Sequence, residues 1–262
     1  MSERPGEYST SERDGNLFIV TINRPEVMNA LHPMANQELA DLMDEFQADP
    51  ELWVAIITGA GDRAFSAGND LKFQVVAGQR SKHPDTGFAG LTSRWDLNKP
   101  VIAAVNGVAM GGGFEIALAC DLIIASENAL FALPEPKVGL AALAGGIHRL
   151  PRQIGMKRAM GMMLTGRHVT AAEGKELGFV NDVVPHGEAL NRAREWADLI
   201  LSCSPMSIRA TKEAAYKGID IARLRDAYEG RYPAVRAMLD SEDFIEGPLA
   251  FAEKRAPNWT GR

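Results

Sequence analysis

Apolar positions along this chain change their period near its middle. Leu17 to Asn23 alternates and is rich in β-branched residues, which predicts a strand that Arg24-Pro25 ends. Met34, Leu39, Leu42, Met43 and Phe46 recur near the spacing of one helix face, and Asp49-Pro50 stops that helix. Trp53 to Thr58 predicts a second buried strand, closed by Gly59-Ala60-Gly61. Gln74 to Gly90 mixes Gly, Lys, Arg, His and Pro and reads as a mobile surface loop. Val101–Val105, Asp121–Ala125 and Ala129–Leu133 are further short strands, Pro134-Glu135-Pro136 makes an elbow, and Gly145-Gly146 opens a helical stretch. From about Gly155 the character is helical: Met156–Leu164, Glu188–Leu201, Pro205–Tyr216 and Ile221–Leu239 all carry helical spacing, with only Phe179–Val184 strand-like. Ser204-Pro205 fits an N-cap followed by Pro at the first helical position. Alternation of strands and helices followed by helices alone implies an α/β fold: a parallel sheet with crossover helices, then a helical C-terminal part.

Composition narrows the classes. The chain has 262 residues, 46% hydrophobic and 24% charged, with a net charge of -6, which counts against nonspecific nucleic-acid binding. Cys120 and Cys203 are far apart with no CxxC partner, so neither a disulfide framework nor structural zinc is expected, and a reducing compartment fits. The histidines show no metal-binding spacing, and no metal is expected. Met1 to Gly15 is polar, unlike a signal peptide, and no apolar run is long enough for a bilayer.

The candidate chemistry gathers at Lys99 to Asp121, which reads as strand, tight turn, helix. Gly111, Gly112 and Gly113 at a helix entrance leave backbone N–H groups bare at its positive end, suited to an anion or a developing oxyanion. A second glycine turn, Ala67-Gly68-Asn69, also follows a strand. N–H groups from both turns on one oxygen would form an oxyanion hole, each donor contributing roughly 2.7–4 kcal/mol. Two unrelated packing turns are the plainer alternative. Glu115 lies just inside the second helix, and Glu135 stands between two prolines; the pair would hold a water as general acid and base, each tuned by burial. A GxSxG elbow and a GxxxxGK[ST] phosphate loop are both missing.

At this point the sequence resembles the enoyl-CoA hydratase/isomerase (crotonase) superfamily. Asn23-Arg-Pro-Glu-Val-Met-Asn-Ala-Leu31, Ala64-Phe-Ser-Ala-Gly-Asn-Asp-Leu-Lys72, Lys99 to Asp121, Phe131 to Gly146, Thr165-Gly-Arg with Ala171 to Val180, and Phe251-Ala-Glu-Lys-Arg255 match family motifs in order. The resemblance implies a spiral ββα core over residues 1–200 and a helical region over 201–262 that forms trimers or dimers of trimers. Met156, Met160, Met162, Met163, Leu164, Met206 and Met238 would supply apolar surface for that interface. It implies Asn69 and Gly112 as oxyanion-hole N–H donors to an acyl-CoA thioester, and Glu115 and Glu135 as the catalytic acids. Val27, Met28, Arg63, Ala67, Lys72, Phe251 and Lys254 would meet coenzyme A, which is part of the substrate and not a separate cofactor, with Phe251 reaching across from a neighbouring subunit. Glu26 departs from the basic residue relatives often carry there, and Ala141-Ala-Leu-Ala-Gly-Gly146 departs from the wording of short-chain hydratases.

The resemblance implies a cytoplasmic 2-enoyl-CoA hydratase, working by syn addition of water to give the 3-hydroxyacyl-CoA. The alternatives are a carnitinyl-CoA dehydratase-like member, which Phe-Ser-Ala-Gly-Asn-Asp-Leu-Lys and Phe-Ala-Leu-Pro-Glu resemble, a Δ3-Δ2 isomerase, or an RNA-binding member. Gln74–Gly90, Ala141–Leu143 and the helix after Ala222 are candidate walls of the acyl pocket.

Overall fold

A computed structural model of the chain describes residues 2–78 and 82–262. Two polar strands, β1 (Ser2–Pro5) and β2 (Ser9–Asp14), lead into β3 (Leu17–Ile22). The helix α1 (Pro33–Ala48) follows, with the His32 ring accepting the Ala35 N–H at its entrance. The chain then repeats one unit of two strands and a helix. The repeats are β4 (Val54–Gly59), β5 (Ala64–Ser66) and α2 (Leu71–Ala77); β6 (Val101–Val105), β7 (Val108–Met110) and α3 (Gly112–Ala119); β8 (Leu122–Ser126), β9 (Leu130–Ala132) and α4 (Gly146–Ile154). Next come α5 (Met156–Thr165), β10 (Val169–Thr170), α6 (Ala171–Leu177), β11 (Asp182–Val184) and α7 (Ala189–Leu201). The chain closes with α8 (Pro205–Ile219), α9 (Leu224–Tyr228), α10 (Pro233–Leu239) and α11 (Glu242–Glu253).

The first strand of each repeat enters a seven-stranded sheet, ordered β1-β2-β3-β4-β6-β8-β11, and the second enters a four-stranded sheet, ordered β10-β9-β7-β5. From β3 to β11 the large sheet is parallel, as crossover helices require. The repeat therefore winds as an α/β spiral of ββα units. Period-two alternation sorts the large sheet's side chains onto two buried faces. Leu17, Ile19, Val54, Ile56, Ile102, Ala104 and Ile124 pack against Ala193 and Ala197 of α7. The intervening Phe18, Val20, Ile22, Ala55, Ile57, Val101, Ala103 and Val105 enter the main core with Leu39, Met43 and Phe46 of α1 and Phe114 of α3. Phe114, Phe131 and Phe179 meet there with ring centroids 5.0 to 5.2 Å apart, tying α3 to the small sheet.

Four sequence expectations are corrected. Gln74 to Gly90 is not all loop, because α2 runs through Ala77, entered by the Asp70 carboxylate on the Phe73 N–H and ended by Gly78 at φ +64. Its Val75 and Val76 are exposed within one chain, so no buried stripe marked the helix. Residues 79–81 of that stretch lie outside the described residues. Apart from these corrections, the polar first fifteen residues, for which no element was predicted, hold two strands, with Ser9 and Ser11 the buried positions of β2. Phe179 and Val180 are not in a strand, since both N–H groups go to the Gly174 carbonyl at the end of α6. Ile221–Leu239 is two helices, parted at Gly230 to Tyr232 before Pro233 starts α10. Of the methionines expected on a subunit surface, Met162 and Met206 are buried inside the chain, whereas Met156 and Leu164 are exposed.

Candidate active site

Helix α3 begins at Gly112, two residues before the apolar run that starts at Phe114. Gly111 holds φ +54 and its N–H goes to the Ala132 carbonyl of the small sheet; its own carbonyl takes the Glu115 N–H. The N–H groups of the first helical turn have no carbonyl inside the helix to accept them. Two of the glycines are required by close approach. A Cβ on Gly113 would lie 2.0 Å from the Ser66 carbonyl oxygen, and one on Gly112 would lie 2.6 Å from the Phe88 ring. The other turn closes onto the same place. Gly68 sits at φ +86, and a Cβ there would lie 2.7 Å from both the Gly112 nitrogen and the Met110 oxygen. The two glycine turns, far apart in sequence, are therefore in contact.

Asn69 follows Gly68 and is bridged to Leu31. The bridge uses the Gly68 carbonyl (2.8 Å) and the Asp70 N–H (3.0 Å), so the Asn69 N–H itself is turned away from Leu31. Its side-chain amide donates to Gln74 Oε1 at 2.7 Å, which fixes the turn against α2. Asn29 secures the other side: its Nδ2 donates to the Ala64 carbonyl (2.7 Å), and its own carbonyl accepts the Ser66 hydroxyl (2.8 Å). Met28 and Asn29 both hold left-handed φ, near +57 and +55, and these bonds keep them there. The Met28 carbonyl accepts the Ala67 N–H at 2.9 Å, bringing Val27 and Met28 against the turn. Arg24 and Asp70 pair at 3.1 Å behind it.

The carboxylates meet at the second turn. Glu115 is 3% exposed and its Oε1 accepts the Gly146 N–H at 2.8 Å, from the first turn of α4. Burial pushes its proton affinity up to about 7; the Gly146 N–H opposes this, the Glu135 charge adds to it, and the Ala144 N–H and Arg149 also oppose. Glu135 begins the short helical turn after β9. Its Oε1 lies 3.1 Å from where a Gly111 Cβ would stand, and its Oε2 is buried with no partner among the described residues. Burial raises its proton affinity too. Glu115 has the proton affinity to exchange a proton near neutral pH, and the unpaired buried oxygen of Glu135 is one that an incoming hydroxyl or water satisfies.

The sequence profile of the enoyl-CoA hydratase/isomerase family matches residues 12–262. The chain belongs to that family. It is 44% identical over 260 residues to a carnitinyl-CoA dehydratase of Proteus mirabilis, covering 95% of this chain and 96% of the relative. It is 45% identical over 262 residues to the protein of that name from Escherichia coli K12, covering 95% and 97%. Among solved structures, an enoyl-CoA hydratase from Mycobacterium tuberculosis superposes with a TM-score of 0.91 at 38% identity, over 98% of this chain and 100% of that one. A carnitinyl-CoA hydratase from Mycobacterium avium gives 0.77 at 42% identity, over the same shares. Family and fold thus agree with the ββα spiral described above.

Of the expected site residues, Asn69, Gly112, Glu115 and Glu135 gather around the α3 entrance, with Ala67, Val27 and Met28 beside them. Lys72 is exposed in the first turn of α2. Arg63 is exposed at the far end of β5, its carbonyl bonded to the Val108 N–H. Phe251 is exposed on α11 and Lys254 caps that helix in a left-handed conformation; α11 is held at Asp243, which accepts the Ser204 hydroxyl and the Thr260 and Gly261 N–H groups. A cavity of about 280 Å³ lined by Lys99, Met206 and Arg209 includes none of these residues. Phe88 was missed by sequence reasoning. Its turn packs Gly87, Ala89 and Gly90 at positive φ, and the buried Asn36 Oδ1 accepts the Ala89 N–H at 2.7 Å. Gly87-Phe88-Ala89-Gly90 carried a signal, an aromatic between two glycines, inside a stretch read as loop.

Proposed function

We propose that the protein catalyses the reversible syn addition of water to a trans-2-enoyl-CoA, giving the 3-hydroxyacyl-CoA. The observation that carries this reading is the pair of raised carboxylates, Glu115 and Glu135, at a helix entrance against which a second glycine turn is packed. The thioester oxygen would take the N–H groups of Gly112 and Asn69, which stabilise the enolate-like state as charge moves onto it. Water between the two acids would add at C3 while a proton reaches C2. Glu135 is assigned the C2 proton and Glu115 the water. Coenzyme A would lie along Val27, Met28 and Ala67, with Arg63, Lys72 and Lys254 toward its phosphates and Phe251 of a neighbouring copy at the adenine. That arrangement requires a trimer or dimer of trimers built on residues 201–262, and light scattering that gave a monomer at micromolar concentration would reject it. The enzyme is assigned to the cytoplasm; no helix among the described residues is long and apolar enough to cross a membrane.

The names of the relatives favour a second reading, dehydration of a carnitinyl-CoA. Its chemistry at C2 and C3 is the same, and the difference is a quaternary ammonium on the acyl chain. The segment running from the turn of Glu135 to Gly146, which holds Glu115, carries from Val138 to Ala144 only apolar side chains and glycine, with no carboxylate for that cation, and this supports a neutral acyl group as the leading reading. Isomerisation of a Δ3 double bond would need only one of the acids. RNA binding is disfavoured by the net charge of -6 and is tested by filter binding across a salt series. A spectrophotometric screen of crotonyl-, longer enoyl-, aromatic enoyl- and crotonobetainyl-CoA separates the readings. Hydration of neutral enoyl-CoAs ahead of crotonobetainyl-CoA supports the leading one, and the reverse order overturns it.

A further inference from the structure

Arg149 was not among the residues expected at the site, yet it touches three of its walls. It lies one turn into α4, where its N–H goes to the Gly145 carbonyl at 2.8 Å. Its guanidinium folds back over the helix entrance: a Cβ on Gly145, which holds φ +106, would lie 2.1 Å from Nη1. Nη2 donates to the Thr92 carbonyl at 2.8 Å. The Thr92 hydroxyl in turn accepts the Phe88 N–H at 2.8 Å, and the Phe88 ring rests on Gly112. The residue after Gly145 holds Glu115. A closed circuit therefore runs from Gly112 through Phe88, Thr92 and Arg149 to Gly146 and Glu115, and Arg149 is the charged side chain in it that links the Phe88 turn to α4.

The surroundings of this cation are unusual. Its Cζ lies 5.2 Å from the centroid of the exposed Trp95 ring, and Nη1 is buried without a partner among the described residues. No carboxylate among the described residues forms an ion pair with it. Its ionisable neighbours are Glu115 from α3, Tyr216 from α8 and Cys120 at the end of α3. Asp121, close by, is paired with Lys212 at 2.7 Å. Glu115 is faced by Glu135 and Arg149. The planar guanidinium bonds the Thr92 carbonyl through one nitrogen while its carbon lies over the Trp95 ring, a reach and geometry that the ammonium of lysine does not reproduce.

We infer that Arg149 is a positioning residue for the proposed reaction: it fixes the Phe88 turn to the helix that holds Glu115, and it supplies the positive field in which Glu115 exchanges its proton. The assay by turnover rests on the hydratase reading. The test compares Arg149→Met and Arg149→Lys with the wild type in pH profiles of kcat/KM on crotonyl-CoA, with thermal melts alongside. In Arg149→Met, kcat should fall by about tenfold or more, since small misplacements at a reacting centre cost up to about 10²-fold, while KM changes less than about threefold. The limb that reports Glu115 should move up, because a nearby cation favours the carboxylate. Arg149→Lys should return the limb to its place without restoring kcat. A fall in melting temperature with the limb unmoved in Arg149→Met would mean a structural role only and overturns the inference. If Arg149→Met does not fold, Arg149→Lys decides: reduced kcat with an unmoved limb supports it, and wild-type kcat overturns it. If the wild type hydrates no enoyl-CoA, the hydratase reading fails by itself, and carboxyl ¹³C NMR still reads Glu115. A higher titration midpoint in Arg149→Met supports the inference there, and an unchanged one overturns it.

Discussion

Replacing Glu115 by Gln should cut turnover strongly and, at alkaline pH, make the protein more stable. The folded state holds the Glu115 proton up to about pH 7, against an ordinary value of 4.5. Between these values the folded chain binds more protons than the unfolded one, so this residue's contribution falls as pH rises through the window. Carried to completion above pH 7, a rise of that size opposes folding by ~3 kcal/mol. Glutamine has nearly the same volume, its Oε1 still accepts the Gly146 N–H, and it carries no charge at any pH. At pH 5 the variant should therefore melt close to wild type, and at pH 8.5 it should melt higher, by about 5–10 °C for a chain of this size. Over the same range kcat for hydration should be lower by at least about 10²-fold. Thermal melts at two pH values and one fixed protein concentration, with turnover on crotonyl-CoA, make the comparison. An equal melting difference at both pH values, or a less stable variant at pH 8.5, would refute the buried-acid argument even if activity were lost.

Three further outcomes are expected. Glu135→Gln should also cost at least about 10²-fold in kcat, and should stop solvent deuterium exchange at C2 of a 3-hydroxyacyl-CoA. Combined with Glu115→Gln it should cost less than the product of the two, because both acids act on one water; a fully multiplicative loss would place them in separate steps. Gly68→Ala should reduce kcat by about 10²–10³-fold, because the added Cβ meets the Gly112 nitrogen at 2.7 Å; wild-type kcat in a folded variant would remove Gly112 from the oxyanion hole. Removing residues after Ala250 should raise KM for acyl-CoA more than it lowers kcat, the mark of binding remote from the reacting carbon, and an unchanged KM would reject Phe251 and Lys254 as coenzyme A contacts.

The large sheet was legible because its strands are buried on both faces, and runs such as Val101–Val105 are apolar throughout. The short strands of the small sheet were harder to read. Val108–Met110 is three residues between glycines, and its order comes from pairing with β5 and β9, not from its own pattern. β1 and β2 are the outermost two strands on one side of the large sheet, and in β2 the buried positions are carried by Ser9 and Ser11, not by apolar residues. Glycine turns announced that two backbones approach something closely. That they approach each other required the fold, since Gly68 and Gly112 are joined only by the spiral. Glu115 and Glu135 could be named from sequence and tuning by burial expected of them, but the partners that set each, the Gly146 N–H on Glu115 and the unpaired Oε2 of Glu135, came only with the fold. Arg149 and Phe88 went unseen because an arginine in a helix and an aromatic in a loop are ordinary until their partners are known.

Hydration of crotonyl-CoA in D₂O, followed by loss of the conjugated enoyl thioester absorbance and mass analysis of the product, bears on the proposed reaction with the fewest intermediate assumptions. The product should be the 3-hydroxyacyl-CoA with oxygen from solvent at C3 and one deuterium at C2, and both Glu115→Gln and Glu135→Gln should fail to form it. Absorbance that stays constant across a panel of enoyl-CoAs, or a product whose double bond has moved with no oxygen added, would contradict a hydratase.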